Sequence, residues 1–143
     1  MTAALAEARA AADDGEQPDG AVAVIDDALV ARGRSQVGAT GDPTAHAVMV
    51  VVREASRRLG RASLGGVTVF AANEPCAMCV GALIESDADG LVFALPNQGA
   101  GAAGSAVQLA RNEKLPNRLR VVSGIMQTEA AELLAVGGAS QRR

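Results

Sequence analysis

Aromatic residues are almost missing from this sequence, which has two Phe, no Trp and no Tyr among 143 residues. Its core must be assembled from Ala, Val, Leu, Ile and Met, and the rings that usually hold single-stranded bases by stacking are not there. Basic charge is not in excess either. Thirteen Lys and Arg against 16 Asp and Glu leave a formal net charge of -3, whereas a chain that grips tRNA or DNA is more often basic. tRNA is therefore the less expected partner. The local exception is the run Arg53, Arg57, Arg58 and Arg61, whose simplest reading is a solvated or subunit-facing helix side. Long apolar runs are missing too. None approaches a membrane span, and the Ala-rich opening segment already carries Glu7 and Arg9, without the apolar stretch of an export signal. The expected location is the cytoplasm. Cysteine is reduced to two residues and histidine to one. In an unexported chain a single CxxC pair favours metal or thiol chemistry over a structural disulfide.

Hydrophobic residues make up 49% of the chain and charged residues 20%, the balance of a globular protein. The length suits one domain spanning residues 1–143. Thr2 to Ala12 reads as a helix capped by Thr2. Gly20–Ile25 and Leu29–Ala31 read as strands joined at Asp26-Asp27, and Gly33–Pro43 as a loop bordering a site. Val48-Met49-Val50-Val51-Val52 alone would pass for a buried strand. It follows Asp42-Pro43-Thr44 and ends in charged residues before Gly60, so Thr44–Leu59 is predicted to be a helix. Gly66–Ala71 and Gly90–Leu95 are predicted strands around a helix Cys76–Glu85. The loop Asn97–Gly104, a helix Ser105–Arg111, a strand Leu119–Val122 and a helix Thr128–Val136 follow, with a fraying tail from Gly137. Helices alternating with strands after an opening hairpin favour one mixed sheet covered on both faces.

The chemistry concentrates in His46 and Pro75-Cys76-Ala77-Met78-Cys79. One His and two Cys suit a zinc ion with an open fourth position, the coordination of a catalytic rather than a closed structural site. Residues i and i+3 share one helix face, so both sulfurs can reach one ion. A helix N-terminus favours their ionisation. A bound water would be lowered in pKa toward neutrality. A CxxC pair taken alone would also fit a redox dithiol or two buried thiols.

These residues resemble the zinc-dependent cytidine deaminase superfamily, whose signature is H-x-E … P-C-x-x-C, and within it the bacterial tRNA adenosine deaminases. The likeness runs nearly end to end. It takes in Pro18-Asp19-Gly20-Ala21-Val22, Asp42-Pro43-Thr44-Ala45-His46-Ala47, Glu74-Pro75-Cys76-Ala77-Met78-Cys79 with Gly81-Ala82, Gly101-Ala102-Ala103-Gly104-Ser105, and Asn117-Arg118 through Gly124-Ile125. The resemblance implies a three-layer α/β/α cytidine-deaminase-like fold with a five-stranded mixed sheet, zinc on His46, Cys76 and Cys79, and a dimer.

The same resemblance exposes departures. Two residues after the histidine the family has a glutamate that shuttles protons; here the residue is Val48. Positions that the resemblance assigns to substrate binding, beside Ala47, also differ. The expected asparagine is Ser35, and apolar residues are replaced by Asp19 and Asn73. In eukaryotic tRNA adenosine deaminases a catalytically silent subunit carries valine at this place, keeps zinc and supports an active partner. Glu74 and Asp42 match residues that the family has beside its glutamate, so their expected role is structural. Asp19 is the candidate surrogate base, and Glu54 and Glu85 are expected to face solvent or a subunit contact. The expectation is a zinc-bearing relative with impaired or no deaminase activity, acting as a homodimer or beside an active deaminase paralogue. The alternatives are an active deaminase of a nucleobase, nucleoside or small amino-heterocycle using another carboxylate, and a structural dimer partner.

Overall fold

The computed structural model describes residues 1–117 and 119–136. The tail expected to fray from Gly137 lies outside the described residues. The elements run α1 (Thr2–Asp13), β1 (Gly20–Ile25), β2 (Ala28–Arg34), α2 (Val37–Thr40), α3 (Ala47–Leu59), β3 (Thr68–Asn73), α4 (Ala77–Glu85), β4 (Gly90–Leu95), β5 (Arg120–Ser123) and α5 (Gln127–Val136). Five strands form one mixed sheet in the order β2-β1-β3-β4-β5. β1 pairs antiparallel with β2 and β3, and β3, β4 and β5 run parallel. This is the α/β/α architecture with a five-stranded mixed sheet that the sequence leads one to expect.

Small and branched apolar residues fill both sides of the sheet. On one face Ala21, Ala23, Val69, Ala71, Leu91 and Phe93 pack against Val48, Val51 and Ala55 of α3 and Cys79, Val80 and Leu83 of α4. On the other face Ala72 and Ala94 meet Leu5 and Ala8 of α1 and Ala130 and Leu133 of α5. With so few rings to fill space, close backbone approach does part of the packing. A Cβ on Gly20 would lie 2.3 Å from Ala8 N and 2.4 Å from Ala4 O, both backbone atoms of α1. Helix α1 can sit this close to β1 only because that residue is glycine. Gly20→Ala is therefore expected to lower stability by about 3 kcal/mol, the upper end for overpacking, read from the midpoint of urea unfolding.

Local signals explain where α3 begins and ends. The apolar positions Val48, Val51 and Ala55 are buried on the sheet side, while Arg57 and Arg58 sit exposed in the last turn. Gly60 stops the helix in the left-handed region at φ 70°. The helix starts at Ala47 rather than Thr44, because Asp42 Oδ1 takes the N–H of Thr44 at 2.8 Å and its hydroxyl at 2.7 Å. That turn delays the helix until His46, which becomes its N-cap. Thr2 is likewise not the cap of α1; Met1 holds that position with no side-chain hydrogen bond. β2 runs on to Arg34, so part of the expected loop is strand, and the short helix α2 occupies the middle of the rest.

The largest correction is at Ser105–Arg111, which is not helical among the described residues. The N–H groups of Ala103 and Ser105 point to the carboxylate of Glu74, at 2.9 and 3.1 Å. Gly104 N–H bonds to Val107 O at 3.0 Å, and Ala103 bridges Gln108. A buried carboxylate reached from a distant strand thus outcompetes local helix propensity. The arginine run is exposed on the chain: Arg57 and Arg58 both pair with Glu54, and Arg61 bonds to Ser63 O and Gly65 O.

Candidate metal centre and cavity

Two chain reversals bring the metal-ligating residues together. His46 caps α3 and Cys76 caps α4, each with extended backbone, and Cys79 lies in the first turn of α4. Cys76 therefore stands just ahead of the helix rather than within its first turn. Pro75 is buried before it. The far side of Cys76 is pinned to the 97–105 loop by a bridge to Gly101, with Ala102 N–H on Pro75 O at 2.8 Å.

His46 Nδ1 lies 3.5 Å from Cys76 Sγ and 3.6 Å from Cys79 Sγ, and the three ligand atoms fall within 4.8 Å of one another. A tetrahedral zinc with Zn–S of ~2.3 Å and Zn–N of ~2.0 Å sets S···N at about 3.5 Å. The donor set fits the ion in kind and in spacing. The two thiols shift in opposite directions. The Cys76 thiol is lowered to about 4, chiefly by the hydrogen bond from Cys79 and then by His46. The Cys79 thiol is pushed up because it donates that bond and is buried. A bound cation makes both thiolates.

The triad opens onto a cavity of about 740 Å³. Val48, Asp19, Ser35 and Asn73 all line it, so four sequence-picked positions converge there with the metal ligands. Ala47 does not line it; its side chain is fully buried and its N–H points to Asp19 Oδ2 at 3.3 Å. Ser35 lines the wall but its hydroxyl donates to Glu16 Oε1 at 3.3 Å. Glu16, which sequence reasoning passed over, also accepts the N–H groups of Gly38 and Ala39 at 3.0 and 2.6 Å and so seats α2. Asn97 and Gln98 form another part of the wall, and no local pattern flags them. Glu74 touches the cavity, yet its carboxylate is taken up by Asn97, Ala103 and Ser105. Asp42 is held in its turn by Thr44. Both acids are structural, as expected from the sequence.

Burial pushes the Asp19 carboxyl up to about 6, against the opposing pull of the Ala47 N–H and of His46. A raised carboxyl favours the folded state below its unfolded value near 4, and that contribution is lost as pH rises through about 6. In metal-free protein, stability should therefore fall between pH 4 and 6 by about 2 kcal/mol more than in Asp19→Asn, at ~1.4 kcal/mol per pKa unit discounted for partial exposure. Thermal denaturation of both proteins across that window checks it; parallel curves would show that Asp19 titrates normally.

Residues 1–95 match the family profile described as the cytidine and deoxycytidylate deaminase zinc-binding region. The chain belongs to this deaminase family. Among curated proteins, this deaminase-family chain is 35% identical over 135 residues to the tRNA-specific adenosine deaminase of Bacillus subtilis (strain 168), covering 94% of this chain and 84% of the relative. Among solved structures it resembles one from a study of A-to-I editing by tRNA A34 deaminases at the wobble position of transfer RNA. That match has a TM-score of 0.90 at 34% identity and covers 94% of this chain and 97% of the other. It also resembles the guanine deaminase of Bacillus subtilis, with a TM-score of 0.67 at 25% identity, covering 99% and 94% of the two chains. The matched region holds all three residues of the group that could hold a metal ion, and the chain is a zinc-binding deaminase-type domain. Among the described residues no helix is long and apolar enough to cross a membrane.

Proposed function

We propose that this chain is a zinc-bearing member of the tRNA adenosine and nucleoside deaminase family in which hydrolytic deamination is lost or strongly impaired. In this reading it serves as a non-catalytic subunit, in a homodimer or beside an active deaminase paralogue, or as a ligand-binding relative. The supporting observation is Val48. It sits on the first turn of α3, two residues after His46, is 2% exposed and lines the cavity. The family signature has glutamate at this place.

When bound, zinc supplies an activated water near neutral pH. His46, Cys76 and Cys79 would hold the ion, with the cavity beside them. Deamination then requires a group that takes a proton and returns it to the ring and to the leaving amine. The isopropyl group of Val48 does neither. Among the signature acids, Glu74 and Asp42 are bound up in structure and cannot stand in.

A second reading keeps activity and uses Asp19 as the proton carrier. It is favoured by one observation: the Asp19 carboxyl lines the cavity beside His46, Cys76 and Cys79, within the space where a proton carrier is needed. Ammonia release by the zinc-loaded protein separates the two, assayed over nucleobases, nucleosides and an anticodon-loop RNA beside Val48→Glu. Silence in the protein and turnover in Val48→Glu support the first reading. Turnover by the unsubstituted protein that is lost in Asp19→Asn supports the second.

A further inference from the structure

Two of the cavity's departures from the family pattern fall at one end of the sheet, just past the paired residues of β1 and β3. β1 and β3 run antiparallel, their ladder ends with Ala21 opposite Ala71, and Asp19 and Asn73 lie two residues beyond those partners at the same end of the sheet. Alternation along β3 gives Asn73 the face of Val69 and Ala71, which pack with Val48 and Cys79, and Asp19 lines the same cavity wall. Both line the metal-bearing cavity.

Their polar atoms are also the uncommitted ones. Among the described residues the Asp19 carboxylate accepts one side-chain hydrogen bond, from Ala47 N–H to Oδ2, and the Asn73 carboxamide has no hydrogen-bond partner. Ser35 and Glu74, by contrast, are already engaged. A carboxylate offers only acceptors and a carboxamide adds an N–H donor. The complementary ligand presents two adjacent N–H donors beside a carbonyl oxygen. A guanine edge does so through its ring N–H, its exocyclic amino group and its carbonyl. Hypoxanthine lacks the amino group. Adenine turns an unprotonated ring nitrogen toward the carboxylate, and such a mismatch leaves polar groups unpaired.

We propose that Asp19 and Asn73 form an edge reader that selects a guanine-type base in this cavity, Asp19 accepting the two N–H groups and Asn73 donating to the carbonyl. The proposal rests on reading the cavity as a base pocket. Its test is binding rather than turnover. Guanine, hypoxanthine and adenine, as free bases and as nucleosides, are titrated calorimetrically into the zinc-loaded protein. Guanine or guanosine binds about tenfold or more tighter than the hypoxanthine counterpart. Asp19→Asn erases that preference while folding and zinc content hold, because its amide oxygen can still accept from Ala47 N–H. Asn73→Leu weakens guanine and hypoxanthine alike, by about fivefold or more. Equal binding of guanine and hypoxanthine, a uniform loss of all bases in Asp19→Asn, or no binding at all would overturn the proposal. The outcome is separable from the functional reading. Guanine preference with a silent Val48→Glu protein keeps the edge reader and counts against the lost-shuttle account. Turnover by Val48→Glu without guanine preference does the reverse.

Discussion

Zinc-loaded Val48→Glu protein is expected to release ammonia from at least one nucleobase, nucleoside or anticodon-loop RNA about 10²- to 10⁴-fold faster than the unsubstituted chain. That is the contribution of one positioned acid–base group. The residue stands on the first turn of the helix that His46 caps and borders the cavity, so a glutamate there would enter the cavity that His46, Cys76 and Cys79 also line. None of the metal-ligating residues is altered, and zinc content should be unchanged. Val48→Gln provides the control, being of similar size without a transferable proton; it should stay silent. An ammonia-coupled assay with metal analysis on all three proteins reads the result. Equal rates in the unsubstituted and Val48→Glu proteins would show that residue 48 does not limit the chemistry.

The second large effect is expected at Glu74. This side chain is 1% exposed and accepts hydrogen bonds from Asn97 N–H at 3.0 Å, Ala103 N–H at 2.9 Å, Ser105 N–H at 3.1 Å and the Ser105 hydroxyl. Those bonds hold its carboxyl below the usual range in spite of burial. Glu74→Gln keeps the shape but turns one acceptor into an N–H₂ group facing other donors. The expected loss is about 3 kcal/mol, from weakened charge-assisted bonds and an unsatisfied buried group, measured by urea unfolding. The effect should extend to the metal. The 97–105 loop bridges Cys76 through Gly101, so zinc should exchange faster from Glu74→Gln in a chelator competition. Loss of stability with unchanged zinc exchange would confine Glu74 to scaffolding.

Much of the metal site could be read in the chain because its signals are local. Cys76 and Cys79 share a helix start, and His46 follows a turn-forming Asp-Pro-Thr. Even the apolar run at Val48–Val52 is decided by the flanking Asp42 and Gly60, which overrule its strand propensity. The residues that escaped act across long separations. Glu16 seats α2 by taking N–H groups more than twenty positions away, so a loop dotted with glycine holds a helix that propensity alone would not suggest. Glu74 draws out the backbone of Ala103 and Ser105 and dissolves the helix that the following residues favour. In both cases a single buried or half-buried carboxylate from another element decides the local structure.

Val48 is also a packing residue. It belongs to the cluster of Val51, Ala55, Val69 and Cys79, and its substitution by glutamate exchanges buried hydrocarbon for a charge. Residue 48 thus holds two demands in one place: hydrocarbon there lends cohesion to the face that carries α3, and a carboxylate there would have to be won from that cohesion.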